Sequence, residues 1–201
     1  MIWFTSDLHF NHNNILKYEP ISRPFETVEE MNETLIENWN RHVDEDDTIY
    51  VLGDLCMGKD TDIPAILERL NGRIVLIRGN HDQSKRRKIY ERHGIEIRDI
   101  SYLPYKGRFF VMCHFPIASE EFMEMVRKDN SEVIMLYGHI HSNAPKGYKD
   151  GTFHVGVDTN DLRPVSIDEI WQQSWPEEMM TPFVKEYKEK FENGSEHECP
   201  V

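Results

Sequence analysis

Residues 73–82 read Arg-Ile-Val-Leu-Ile-Arg-Gly-Asn-His-Asp. The apolar run Arg73–Ile77 is a strand of the kind buried on both faces. It is followed by Asn80, His81 and Asp82, three side chains that can ligate a metal or move a proton. The same juxtaposition recurs along the chain. Ile2–Thr5 leads into Ser6-Asp7-Leu8-His9, and Ile49–Leu52 into Gly53-Asp54. Phe109–Met112 leads into Cys113-His114, and Val133–Tyr137 into Gly138-His139-Ile140-His141. Ligand sites of α/β sheets lie outside the carboxyl ends of the strands, so these groups are expected to converge on one rim.

Helical patterns separate the strands. Thr27–Val43 places Val28, Met31, Leu35, Trp39 and Val43 on one face, with a Thr27/Glu30 capping pattern at its start. Ile63, Ile66, Leu67 and Leu70 outline a short helix closed by Asn71-Gly72, and Ser84–Arg92 another that stops at Gly94. Thr48–Leu52, Ile95–Ile100, Phe109–Cys113 and Phe153–Val157 are expected as strands, and Glu120–Lys128 and Ser166–Trp175 as helices, the last opened by a Ser166/Glu169 capping pattern. The alternation predicts an α/β domain of layered sheets covered by helices, over residues 1–175. Beyond Pro176 the composition shifts. Phe183, Val184, Tyr187 and Phe191 lie at helical spacing, so residues 176–201 are expected to form an amphipathic helix and a frayed tail. Its apolar stripe is expected to pack on the domain, with a second copy of the chain (a homo-oligomer) as the alternative.

A formal net charge of −13 argues against broad affinity for duplex nucleic acid, which is held mainly through Lys and Arg. It leaves room for a small phosphorylated substrate. No run approaches the ~18 apolar residues that a membrane span needs. Cys56, Cys113 and Cys199 form neither a disulfide framework nor a zinc knuckle, and a cytoplasmic setting is expected.

The donor types narrow the chemistry. In extended chain, residues i and i+2 point the same way, so Asp7 and His9 can face one ion. His139 and His141 can do likewise, or divide between two. Imidazole, carboxylate and amide without thiolate suit Mn, Fe, Ni, Co or Zn in a hydrolytic role. Seven candidates, Asp7, His9, Asp54, Asn80, His114, His139 and His141, exceed what one tetrahedral ion takes and suit two divalent ions.

The series Asp7-x-His9, Gly53-Asp54, Gly79-Asn80-His81-Asp82, His114 and Gly138-His139-x-His141 resembles the signature of the calcineurin-like metallophosphoesterases. His154-Val-Gly-Val-Asp158 is similar to a closing segment of small bacterial and phage members. The resemblance implies a four-layer α/β/β/α sandwich with two metals at one edge, manganese first among the choices. It also implies roles. Asp7, His9 and His141 hold one ion, Asn80, His114 and His139 the other, and Asp54 bridges them. His81 sits over the phosphate, stabilising the transition state or protonating the leaving oxygen, and Asp82 orients it. One departure is Met57, three residues beyond Asp54, where many members carry Asp or Arg.

The implied reaction is in-line attack on phosphorus by a hydroxide held between the metals, with no covalent intermediate. The substrate is expected to be a phosphodiester, a nucleotide or another small diester, because 201 residues leave little room for a cap domain. A phosphomonoesterase, including a protein phosphatase, is the alternative. A catalytically silent scaffold ranks below both, since all seven ligands and His81 are present. His12 and Arg23 are candidate substrate contacts, against a polar turn and a surface arginine respectively. Lys85-Arg86-Arg87-Lys88 is either a basic rim or, preferably, a solvated helix face.

Overall fold

A computed structural model describes residues 1–116 and 133–174. The first sheet takes β1 (Ile2–Thr5), β2 (Thr48–Val51), β3 (Arg73–Ile77) and β4 (Glu96–Arg98), all parallel. The second takes β5 (Ser101–Tyr105), β6 (Arg108–Met112), β7 (Val133–Tyr137), β8 (Tyr148–Lys149) and β9 (Thr152–His154), in the order β5-β6-β7-β9-β8. Strand β10 (Val165–Ser166) returns to the first sheet antiparallel to β1. Within the second sheet β6, β7 and β9 run parallel, so their carboxyl ends share one edge. Five-stranded mixed sheets with helices make this an α/β protein.

Alternation along the strands sorts the core into two. Ile49, Val51, Ile74 and Leu76 turn one way, onto α2 (Val28–His42), α3 (Ile63–Leu67) and α4 (Ser84–Arg92). Helix α2 buries Val28, Met31, Leu35, Ile36 and Trp39 there, as its spacing predicts. Its Thr27 cap accepts from the Glu30 N–H at 3.2 Å. The box is half made, because the Glu30 carboxylate takes the N–H of Glu26. Phe4, Leu52 and Ile77 turn the other way and meet Phe110, Met112, Ile134, Leu136 and Phe153 between the sheets. That core is closed by α5 (Ile167–Gln173), whose Ser166/Glu169 capping box is complete. Helices, first sheet and second sheet are three of the four expected layers. The segments Glu120–Lys128 and 176–201 lie outside the described residues.

The expected strand Ile95–Ile100 is a correction. Only Glu96–Arg98 pairs with β3, after which the chain crosses to the second sheet and forms β5. A hairpin turn then reverses it. Lys106 and Gly107 both take positive φ, 43° and 75°, as tight two-residue turns require. Likewise β9 ends at His154, Gly156 makes only an isolated parallel bridge to Ser6, and Val157–Thr159 coils into a single 3-10 turn. A four-residue helix α1 (Ile15–Tyr18) had no pattern to announce it. No helix among the described residues is long and apolar enough to cross a membrane.

Trp39 fixes how α2 sits. It is fully buried and its indole N–H donates to the Asn71 carbonyl at 2.9 Å. Trp39→Ala is expected to destabilise the fold by about 3–5 kcal/mol, a cavity plus an unmet carbonyl. Urea unfolding measures this, and a loss below about 1 kcal/mol would show that α2 does not anchor the core.

Candidate metal centre

The carboxyl ends of the two sheets are stitched together. The N–H of Asp7 donates to the Gly53 carbonyl at 3.1 Å and that of His9 to the Asp54 carbonyl at 2.9 Å. Across the sheets, the N–H of His139 donates to the Asp7 carboxylate at 2.9 Å, and the His114 ring meets the Leu52 carbonyl at 2.7 Å. Three of the strands, β1, β2 and β7, leave their sheets by sharp left-handed turns at the residues that carry the chemistry. Asp7, His9, Asp54, His139 and His141 have φ of 56°, 49°, 56°, 74° and 50°. Such conformations are uncommon outside glycine and cost on the order of 1–3 kcal/mol each when strained. Their concentration at strand exits shows that backbone geometry is shaped to aim these side chains. Two glycines make the closeness possible. A Cβ on Gly79 would lie 2.3 Å from Asp54 Oδ1, and one on Gly138 1.9 Å from Ser6 Oγ.

Two groups of donor atoms result, each within 4.8 Å of one another: Asp7, His9 and His141, and Asp7, Asp54 and His114. Asp54 is central. Its Oδ2 lies 3.6 Å from His9 Nε2 and 3.6 Å from His114 Nε2. The hydrogen bonding is what a cation fits. His114 uses Nδ1–H on the Leu52 carbonyl, which leaves the Nε2 lone pair facing Asn80 Oδ1 at 2.8 Å. His141 uses Nδ1–H on Asp158 at 2.7 Å and leaves its Nε2 free. The His9 ring is buried with neither nitrogen hydrogen-bonded. Buried polar atoms normally have partners, and lone pairs converging on lone pairs repel unless a cation lies among them.

The electrostatics of His9 and His139 agree. Burial pushes the Asp7 carboxyl up to about 6. Burial pulls the His9, His12 and His139 rings below their ordinary value, and His154 down to about 4. At His141 burial also pulls down, but the hydrogen bond to Asp158 and the charges of Asp7 and Asp158 hold the ring above its ordinary value. A neutral imidazole is the ligating form.

The structure brings Asp7, His9, Asp54, Asn80, His114, His139 and His141 to one rim. His81 is at the lip, its ring more than a third exposed and Nε2 4.0 Å from Asp54 Oδ2. His12 stands beside His9, ring centroids 5.2 Å apart, and its Nδ1 has no partner. Two expectations need correcting. Asp82 does not orient the His81 ring: it is buried and accepts the backbone N–H groups of Asp54 at 2.8 Å and Gly79 at 2.9 Å, so it ties two ligand turns together. The ring's nearest carboxylate is Asp54, which also accepts the His81 N–H at 2.9 Å. Arg23 does not reach a substrate: it is 1% exposed and bound to Asp158 and backbone carbonyls. Asp158 and Arg86 were not singled out by their own chemistry. Arg86 turns inward from the basic run to the carbonyls of His81 at 2.9 Å and Met57 at 3.0 Å, bracing the loop where Met57 departs from the common pattern. Lys85 and Lys88 are exposed, the solvated face expected.

Asp7 gives a pH signature. A buried carboxyl held above its ordinary value adds stability below about 4, and that contribution is lost as pH rises through about 6. A cation binding the carboxylate offsets the loss and competes with the proton. Manganese should therefore raise the melting temperature of metal-stripped protein more above pH 6 than below it. Calorimetric melts at several pH values check this, and an equal shift across the range would remove Asp7 from the ligand set.

Residues 1–156 match the model of the calcineurin-like phosphoesterase superfamily domain. The chain is 40% identical to protein MJ1445 of Methanocaldococcus jannaschii over 176 residues, 84% of this chain and 88% of that one. It is 30% identical to the gene 66 protein of Mycobacterium phage L5, over 84% of this chain and 91% of that one. Among solved structures, protein AQ665 of Aquifex aeolicus superposes with a TM-score of 0.68 at 27% identity, over 86% of this chain and 98% of that one. With the family model spanning most of its length and the ligand turns at its strand exits, the chain belongs to the calcineurin-like phosphoesterase superfamily.

Proposed function

We propose that this phosphoesterase-family hydrolase is a metal-dependent phosphodiesterase, acting on a nucleotide or another small diester at a centre of two divalent transition-metal ions. The carrying observation is the buried His9 ring, both nitrogens without partners, set among Asp7, Asp54 and His141. Bound divalent cations would neutralise phosphate charge and lower the pKa of water toward neutrality, manganese being the first choice and iron, nickel, cobalt or zinc the others.

The chain's own residues do the rest. Asp7, His9 and His141 would hold one ion, Asn80, His114 and His139 the other, with Asp54 between them. His81 would stand over the phosphate and hand a proton to the leaving oxygen. Its main chain is fixed on Asp54 while its ring stays accessible, which suits that task. His12, at the same lip, would donate to a phosphate oxygen.

The second arm of a diester needs space beside the metals. A cleft of about 470 Å³ starts at Asn80 and runs between Arg78, Ile100 and Phe115. The Phe115 ring packs edge-on against His114 and His139, with centroids 4.9 and 4.7 Å away, and remains 45% exposed. A flat apolar ring beside polar groups suits an aromatic ester arm, and this favours the diester over the monoester.

Metal-stripped protein given manganese should hydrolyse bis-p-nitrophenyl phosphate faster than p-nitrophenyl phosphate. Asp54→Asn should abolish turnover, and His81→Ala should lower kcat by about 10²–10⁴-fold. Preference for the monoester would move the reading to a phosphomonoesterase. Failure to bind any divalent metal would end it. Phe115→Ala should raise KM for an aryl diester about tenfold and leave that for a methyl ester unchanged. Equal effects on both would empty the cleft of its role.

A further inference from the structure

Arg23 is among the largest fully buried side chains of the protein, and no substrate can reach it. Its guanidinium is spent entirely on the protein. Nε and one Nη grip the two oxygens of Asp158 at 2.7 and 2.9 Å. The Nη groups also donate to the carbonyls of Leu8, at 3.0 Å, and Asp7. Asp158 in turn accepts Nδ1–H of His141 at 2.7 Å and the Ser22 hydroxyl at 2.9 Å.

Four segments of the chain, at Asp7–Leu8, Ser22–Arg23, His141 and Asp158, are thereby locked together around the same part of the centre. The pinned carbonyls belong to the left-handed turn that aims Asp7 and His9. The Asp158 carboxylate sets the tautomer of His141 so that Nε2 carries the lone pair. The forked contact needs a planar guanidinium, which a lysine ammonium does not offer. Burying an arginine and an aspartate is costly unless both are fully bonded, as they are here.

Asn80, His114 and His139 take no bond from this pair among the described residues. Their supports are different. His114 leans on the Leu52 carbonyl, Asn80 is exposed, and His139 is partly exposed. The two halves of the centre are therefore built unequally: in one, Asp7 and His9 are buried and the partly exposed His141 is braced by an ion pair, whereas in the other only His114 is buried.

We infer that Arg23 and Asp158 are positioning residues for the Asp7–His9–His141 half alone, and that they make it the tighter of two metal sites. This rests on the metal-centre reading above, so the test must separate the two. Manganese titrated into metal-stripped full-length protein, followed by calorimetry and electron paramagnetic resonance, should give a tight and a weak class. Arg23→Lys and Asp158→Asn should each weaken the tight class by about 10- to 100-fold and leave the weak class in place. Asn80→Ala should do the reverse. Unchanged tight binding in both clamp variants, or equal weakening of both classes, would overturn the inference.

A second measurement stands without metal, should Arg23→Lys not fold. Long-range nitrogen–proton NMR at alkaline pH reports the tautomer of His141. Metal-free wild type should show Nδ1–H, and Asp158→Asn a mixture or Nε2–H. An unchanged tautomer would defeat the clamp. Wild type that binds no manganese, with the tautomer shift intact, would defeat the metal reading and leave the role of Asp158 in orienting His141 standing.

Discussion

Imidazole nitrogens and carboxylate oxygens crowded together out of reach of water are the constraint around which this protein is arranged. Asp54 is nearly fully buried, with the ring nitrogens of His9 and His114 both 3.6 Å from one of its oxygens. Asp7 is wholly buried a turn away. In an apolar surround such a set would spring apart or take up protons. It is held by the sheets. Their carboxyl ends abut, so the turns that leave them cross-bond through main-chain groups rather than through solvent. The left-handed turns aim the side chains inward, and Gly79 and Gly138 allow the backbones to approach.

Around that core sit side chains whose only work is to hold it. Asp82 gathers the N–H groups of two ligand turns, Arg86 braces the loop behind His81, and the Arg23–Asp158 pair pins the first strand's exit and the His141 ring. All four are charged groups that surface chemistry would place in solvent, and three of them, Arg23, Asp82 and Asp158, are buried. Their burial is intelligible because each is satisfied by backbone groups or by an opposite charge. The lip is different in character. His81, His12 and Phe115 keep exposed faces, and that is where a phosphate ester with its two arms can approach.

Much of this was legible in the sequence, for a physical reason. A strand buried on both faces is an unbroken apolar run, so the first polar residue after it marks the sheet edge. β1, β2, β3, β6 and β7 could be placed that way, and with them the residues now gathered at one rim. What escaped depends on distance or on local turning. Arg23 looked like a loop arginine because its partner lies 135 residues on. Asp82 follows His81 directly, yet the turn sends the two side chains to different neighbours, a divergence that spacing does not reveal. The crossing at Asp99–Ile100 was missed because both strands flanking it are short and mixed in character, and continuous β-like composition conceals a change of sheet.

The central claim is that the converging donors form a two-cation centre. It is tested most directly by crystals grown with manganese, with diffraction recorded at the manganese absorption edge. Anomalous density should show two peaks, one among Asp7, His9 and His141 and one among Asn80, His114 and His139, with the Asp54 carboxylate touching both. A lone peak away from Asp54, or none at this rim while manganese binds elsewhere, would contradict it.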